Sequence, residues 1–173
     1  MTVDEVCAAL IKDKSFYDES GGGITLSGGE CLLQSEACRE ILKEMKRCEI
    51  NTAVDTCGFV AREAIDVDVH KRCTGQPNGL ILDNLMYIDK SGAKTEIRIP
   101  YVPGYNDNQI DKIGKFLSNL KNITGVRVLP YHNYAASKYA ALGIEDTLPK
   151  TLPSDEEISK AKDILKNYGI PVK

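Results

Sequence analysis

The chain has 173 residues, of which 42% are apolar and 27% are charged, and its formal net charge is −3. This size and composition are typical of one globular domain with its own core. The scattered basic residues are outnumbered by acids, which argues against a nucleic-acid-binding surface. No apolar run approaches the ~20 residues of a membrane span, and Met1 leads directly into a polar sequence without a signal peptide. We therefore predict a single cytoplasmic domain over residues 1–173 that binds neither nucleic acid nor a membrane.

Helices and strands alternate through most of the sequence. The apolar runs that predict short strands cover residues 24–26, 51–54, 94–99 and 126–129. The predicted helices begin at the capping box Thr2–Glu5, at Ser35, near residue 80, at Asn106 and at a second capping box, Ser154–Glu157. A weaker helix is predicted over 61–65, a loop over 15–20, no strand over 66–78 and an irregular region over 135–153. This alternation predicts βα units and a parallel sheet.

One predicted strand has charged residues on one face. Thr95, Ile97 and Ile99 alternate with Glu96 and Arg98. Strands of parallel sheets are usually buried and apolar on both faces. The charged face instead favours a barrel or half-barrel whose inner face lines a site.

Six cysteines follow no known zinc or iron–sulfur spacing; they lie at positions 7, 31, 38, 48, 57 and 73. Without an export signal we do not expect disulfides. Cys7 and Cys38 fall on apolar helix faces and are predicted core residues. Cys31 and Cys57 follow strand ends, which brings them near a possible site, although structural roles are favoured for both.

Every predicted strand is followed or ended by polar residues. They are Ser27 to Glu30, Asp55 with Thr56, Arg98, and Tyr131 with His132. Singly, each has an ordinary explanation: a glycine-rich turn, a helix cap, a structural ion pair or a surface histidine. In β/α barrels, however, the site is formed at the C-terminal ends of several strands. Four such strand ends together predict one shared site.

The residue types indicate what this site would bind. Gly28 and Gly29 let a ligand approach the backbone closely, and the Glu30 carboxylate can accept hydrogen bonds from an ammonium group. Asp55 and Thr56 offer hard oxygens for a cation or for ligand hydroxyls.

Two further residues complete the predicted ligand chemistry. Arg98 can hold a carboxylate or hydroxyls, and His132 can donate a hydrogen bond to a carboxylate or a ribose. A ligand with amino, carboxylate and ribose groups would use the whole set. Since His70 is the only other histidine, no nucleophile–base pair stands out, and a hydrolytic triad is poorly supported.

Seven motifs follow one another along the chain: MTVDEV, KDKSFYDESGGGITLSGGE, VDTCGF, HKRCTGQPN, IRIPYVPGYND, LPYH and KYAALG. In this order they resemble the motifs of the glycyl-radical-enzyme activating enzymes, which are radical S-adenosylmethionine (SAM) proteins and include the pyruvate formate-lyase activating enzymes. The resemblance covers nearly the whole chain and implies an α/β fold, a partial (β/α)-barrel of radical SAM type.

The resemblance also implies an activity and a site. Members cleave SAM reductively at a [4Fe–4S] cluster, and the resulting 5′-deoxyadenosyl radical takes a hydrogen atom from a glycine of a partner glycyl-radical enzyme. The implied electron donor is a reductant such as flavodoxin or ferredoxin. The implied SAM contacts are Gly28, Gly29 and Glu30 at the amino group, Asp55 and Thr56 near the carboxylate and a monovalent cation, and Arg98 and His132 elsewhere.

Two features of the family are missing from the sequence. The cluster motif C-x3-C-x2-C is absent, so this chain is expected to hold no ligands for the [4Fe–4S] cluster. The stretch between VDTCGF and HKRCTG is too short for the family strand resembling DLVLYDLK, which weakens the cation assignment. We therefore expect an incomplete barrel that lacks its first βα unit and one central strand. The alternatives to an activase are a non-catalytic SAM- or partner-binding barrel fragment and an incompletely folded fragment.

Overall fold

A computed structural model describes residues 1–57, 79–145 and 149–173. The helices in these ranges are α1 Val3–Ile11, α2 Lys14–Ser20, α3 Ser35–Arg47, α4 Gly79–Lys90, α5 Ile110–Leu117, α6 Ala136–Ala141 and α7 Asp155–Asn167. The strands are β1 Gly23–Leu26, β2 Asn51–Val54, β3 Thr95–Tyr101 and β4 Ile123–Pro130. Short 3-10 helices cover Cys31–Gln34 and Asp107–Gln109.

The described strands form two parallel pairs. β1 pairs with β2 in the register Leu26 to Val54, and β3 pairs with β4 in the register Arg98 to Arg127. Parallel pairing confirms the prediction from the alternating elements. The two pairs are separate sheets within the described ranges, so the partial barrel stays a prediction. The place of the expected missing central strand, the weak helix over 61–65 and the lack of a strand over 66–78 all fall outside the described residues.

Each strand pair has its own apolar core. Helices α1 and α3 cover β1 around a cluster of buried residues: Cys7, Ile24, Ile41, Met45 and Ile50. Helices α5 and α7 cover β3 and β4 around a second cluster: Ile99, Tyr101, Ile110, Leu117, Val126, Val128, Ala161, Leu165 and Ile170. The predicted core positions of Cys7 and Cys38 are confirmed, since both are buried. No helix that the structure describes combines the length and apolarity needed to cross a membrane.

Both predicted capping boxes are present. The Thr2 hydroxyl accepts a hydrogen bond from the Glu5 N–H, and the Glu5 carboxylate accepts one from the Thr2 N–H. Ser154 and Glu157 repeat this arrangement at the start of α7. Each box satisfies backbone N–H groups that have no partner inside the helix. Gly169, with φ of 73°, lies just beyond the end of α7, where a left-handed glycine commonly terminates a helix.

The loop predicted over residues 15–20 is wrong, because this stretch forms helix α2. The Lys14 ammonium lies 2.7 Å from the Asp18 carboxylate one turn later, and such i,i+4 pairs support short helices. Gly21, with a left-handed φ of 66°, ends the helix. A charged pair and a terminal glycine therefore define a helix that lacks an apolar stripe.

Three further predictions are corrected. The region predicted as irregular over 135–153 contains helix α6. Strand β3 does not end at residue 99 as predicted but continues through Pro100 to Tyr101; within the described residues β3 is an edge strand, where a proline can be accommodated. Asn106 does not cap the following helix with its side chain. Its amide instead donates to the Pro100 carbonyl and accepts from the Val102 N–H.

Candidate functional site

The turn after β1 exposes its backbone. Gly28 has φ of 119°, a conformation that residues with a side chain rarely adopt. A Cβ atom added to Gly28 or Gly29 would meet no atom within 4 Å. The backbone here borders open space that any larger residue would partly fill, and a ligand can therefore lie directly against it.

The Glu30 carboxylate is held by four donors of the chain itself. Oε1 accepts from the Leu32 N–H at 3.1 Å and from Thr56 Oγ1 at 2.6 Å. Oε2 accepts from the Cys57 N–H and from Cys57 Sγ, both at 2.8 Å. Glu30 thus joins the turn after β1 to the residues that follow β2.

These hydrogen bonds keep Glu30 ionised. Partial burial raises the pKa of the Glu30 carboxyl, but the hydrogen bonds from Cys57, Thr56 and Leu32 outweigh burial and hold this pKa below its usual value. Donors that face a carboxylate favour its charged form. The site therefore presents a fixed negative charge at neutral pH.

Asp55 connects the ends of β1 and β2 to Arg98, which lies in the middle of β3 and not near its end as predicted. Its backbone N–H donates to the Leu26 carbonyl at 2.8 Å, which extends the β1–β2 pairing by one step. Its Oδ2 atom lies 3.4 Å from Ser27 Oγ and 3.2 Å from Arg98 Nη1. Since Arg98 belongs to β3, this ion pair links the two separate sheets at the candidate site.

The exposed face of β3 and β4 carries a row of ion pairs. The Glu96 carboxylate contacts the Lys173 ammonium and lies 2.8 Å from Arg127 Nε. The hydrogen bond from Lys173 is the largest cause that holds the pKa of Glu96 below its usual value. This arrangement agrees with the predicted charged face of β3, on which Arg98 and Glu96 lie side by side.

His132 is not joined to the other predicted residues. It lies two residues beyond the end of β4, and its ring stacks on Tyr134 with a centroid distance of 4.2 Å. No hydrogen bond or ion pair between described residues connects it to the group around Glu30. The structure therefore brings together Gly28, Gly29, Glu30, Asp55, Thr56 and Arg98 but not His132.

Two cysteines take part in the site. Cys57 contacts Glu30 as described, and Cys31 Sγ lies 3.5 Å from the Asp55 carbonyl oxygen. Burial, helped by the nearby Cys38 and Glu30, raises the pKa of the Cys31 thiol. The sequence predicted that Cys57 lies near a possible site, because it follows soon after β2, but favoured a structural role and did not predict the thiol contact to Glu30.

No metal site is formed by protein ligands in the described ranges 1–57, 79–145 and 149–173. Within them no three His, Cys, Asp or Glu side chains converge. The five cysteines in these ranges are free thiols.

Comparison with known proteins gives the family. No protein-family model matches the chain. It is 34% identical over 194 aligned residues to the choline trimethylamine-lyase activating enzyme of Oleidesulfovibrio alaskensis, covering 99% of the chain and 63% of that protein. It is 33% identical over 186 aligned residues to the pyruvate formate-lyase-activating enzyme of Staphylococcus aureus, covering 93% of the chain and 74% of that protein. The chain belongs to the glycyl-radical-enzyme activating enzymes.

The chain spans about two thirds to three quarters of the length of these two activating enzymes. The first alignment is also longer than the 173-residue chain, so that relative has residues inside the aligned region that this chain lacks.

Solved structures give the same picture of the fold. A domain of the pyruvate-formate lyase-activating enzyme from Bacteroides vulgatus matches with a TM-score of 0.70 and 28% identity, covering 88% of this chain and 98% of that one. A radical SAM methyltransferase from Sphaerobacter thermophilus matches with a TM-score of 0.67 at 20% identity, covering 100% of this chain and 57% of that one; this match bears on the fold alone. The α/β fold of radical SAM type is confirmed.

Proposed function

We propose that this chain is the SAM-binding portion of an enzyme that activates a glycyl-radical enzyme. The observation that carries the proposal is the Glu30 carboxylate, which is ionised, held in place by four donors and adjacent to the open backbone of Gly28 and Gly29. Membership of the activating-enzyme family supports the same conclusion.

The residues present fit the amino-acid end of SAM. Its ammonium group needs a charged acceptor, which Glu30 supplies, and the space beside Gly28 and Gly29 admits a ligand against the backbone. Asp55 and Thr56 would hold a monovalent cation near the SAM carboxylate.

Two further residues, Arg98 and His132, would contact parts of SAM other than its amino group. Arg98 would neutralise Asp55 or the ligand's own carboxylate, since its guanidinium already lies beside Asp55. His132, which is exposed at the end of β4, would be a further contact.

The residues of this chain do not fit a [4Fe–4S] cluster, because the sequence contains no C-x3-C-x2-C motif and no metal-binding group converges among the described side chains. We derive no step through the cluster. In the family, SAM at such a cluster supplies a 5′-deoxyadenosyl radical. What this chain contributes is a fixed acceptor, an open backbone and an oxygen pair that together orient the amino-acid end of SAM.

The partner would be a glycyl-radical enzyme, and the electron donor a small protein such as flavodoxin or ferredoxin, in the cytoplasm. The two relatives are named for activating choline trimethylamine-lyase and pyruvate formate-lyase. We propose a partner of the same class. The missing cluster motif favours one second candidate, a SAM-binding fragment without catalysis.

Calorimetric titration with SAM tests the proposed site. Replacing Glu30 by Gln removes the charge that faces the ammonium, and we expect the SAM dissociation constant to rise roughly 10- to 100-fold, as for a lost hydrogen bond to a charged group. Glu40→Gln is the matched control, because Glu40 is exposed on α3 and pairs with Lys43. Equal SAM affinity of the Glu30→Gln variant and the unchanged chain would contradict the proposal.

A turnover assay separates the two candidate functions. The chain is extended upstream by a segment that carries the missing C-x3-C-x2-C motif, loaded anaerobically with iron and sulfide and reduced with dithionite in the presence of SAM, and 5′-deoxyadenosine is measured. Formation of 5′-deoxyadenosine that requires Glu30 supports the activase. Tight SAM binding without any 5′-deoxyadenosine favours the non-catalytic fragment.

A further inference from the structure

The hydrogen-bonding capacity of the Glu30 carboxylate is already filled. A carboxylate offers about four lone-pair positions, and the chain directs four donors at them. An incoming ammonium group therefore has to share or replace one of these donors.

The four donors differ in strength and in freedom to move. The Thr56 hydroxyl, at 2.6 Å from Oε1, lies in the distance range of strong charge-assisted hydrogen bonds. The N–H groups of Leu32 and Cys57 are fixed by the backbone. The Cys57 thiol is a weak donor on an exposed side chain, and rotation about one bond moves it away from Oε2. It is the donor that a ligand replaces most easily.

We propose that the Cys57 thiol occupies the place of the ligand's ammonium group on Glu30 and is displaced when an ammonium-bearing ligand binds. This inference rests on the proposed function, in which Glu30 accepts from the SAM amino group. Cys57 then lowers the affinity of the site for SAM, because SAM binding breaks the hydrogen bond between the Cys57 thiol and Glu30 and replaces it with one from the SAM ammonium group.

The exchange predicts an unusual order of affinities. Cys57→Ala removes the competing donor but keeps the backbone N–H, so SAM should bind roughly two- to tenfold more tightly. Cys57→Ser supplies a hydroxyl, a stronger donor than a thiol, so SAM should bind roughly two- to tenfold more weakly. A purely structural role would instead weaken SAM binding in both variants, and more in Cys57→Ala, because serine is closer to cysteine in shape than alanine is.

Calorimetry on the 173-residue chain tests this order with two probes. SAM carries the ammonium group, whereas 5′-methylthioadenosine lacks it, so the affinity for 5′-methylthioadenosine should not change in either Cys57 variant. Cys48→Ala and Cys48→Ser are matched controls, since the Cys48 thiol also lies beside a carboxylate, 3.9 Å from Glu44 Oε1, but away from the site. Thermal unfolding verifies that every variant is folded.

The outcomes separate this inference from the proposed function. The inference is supported if Cys57→Ala binds SAM more tightly than the unchanged chain, Cys57→Ser binds SAM more weakly, and neither variant changes the affinity for 5′-methylthioadenosine. If SAM binds through Glu30 but Cys57→Ala binds SAM equally or more weakly than the unchanged chain, the displacement is refuted and the proposed function stands. If SAM does not bind the unchanged chain at all, both are refuted.

Discussion

The hydrogen bond between Thr56 and Glu30 predicts a measurable loss of stability when the hydroxyl is removed. Thr56→Val keeps the shape of the side chain and deletes only the donor that lies 2.6 Å from Glu30 Oε1. Hydrogen bonds to charged groups contribute about 1.5–3 kcal/mol. Both side chains are half-buried, so solvent takes over part of this interaction, and we expect the free energy of unfolding to fall by about 1–2 kcal/mol.

Urea unfolding at pH 7 measures this loss, and a double-mutant cycle with Glu30→Gln isolates the pair. Thr52→Val is the matched control: Thr52 is an exposed threonine of β2, the strand that precedes Thr56, and its hydroxyl makes no hydrogen bond with a described residue. It should change the free energy of unfolding by less than about 0.5 kcal/mol. A coupling energy between Thr56 and Glu30 that is indistinguishable from zero would refute the geometry described for the site.

Two further predictions concern the fold. A Cβ at Gly23 would overlap the Asn51 carbonyl on the neighbouring strand, so Gly23→Ala should lower the free energy of unfolding by at least about 2 kcal/mol. A Cβ at Gly29 would face open space, so Gly29→Ala should change the free energy of unfolding by less than about 0.5 kcal/mol. Equal urea midpoints of the two variants would contradict this prediction. The hydrogen bonds from Ser154 hold the pKa of Glu157 below its usual value. The contribution of ionised Glu157 to the free energy of unfolding is therefore complete above the ordinary carboxyl pKa and is lost as the pH falls through the lowered pKa of the folded state. In this acidic window the free energy of unfolding of Glu157→Gln should depend less on pH than that of the unchanged chain. Identical pH profiles of the two proteins would contradict this prediction.

Local signals made much of the fold predictable. The capping boxes at Thr2 and Ser154 are satisfied within four residues, so the sequence alone defines the starts of α1 and α7. Helix α2 was missed because apolar periodicity was the main criterion and this helix has none. Two features of the sequence do indicate this helix: the i,i+4 spacing of Lys14 and Asp18, and Gly21 at its end.

The site was predictable in its members but not in its contacts. Polar residues that follow neighbouring parallel strands must lie at the same end of the pair, which singled out Glu30 and Asp55. Arg98 lies inside β3 and reaches this group through its ion pair with Asp55. Which donors reach Glu30 depends on the β1–β2 register, and a sequence does not specify a register between strands 28 residues apart. His132 lies beyond the strand, where its stacking on Tyr134 decides its position.

The most direct test of the account is a map of where SAM contacts the chain. In ¹H–¹⁵N correlation spectra recorded during a titration with SAM, the backbone N–H signals of Gly28, Gly29, Leu32 and Cys57 should show the largest changes, because they surround or donate to the Glu30 carboxylate. The same titration of Glu30→Gln should leave these signals almost unmoved. Saturation with SAM that shifts other parts of the chain and leaves these four signals in place would contradict the assignment of the site.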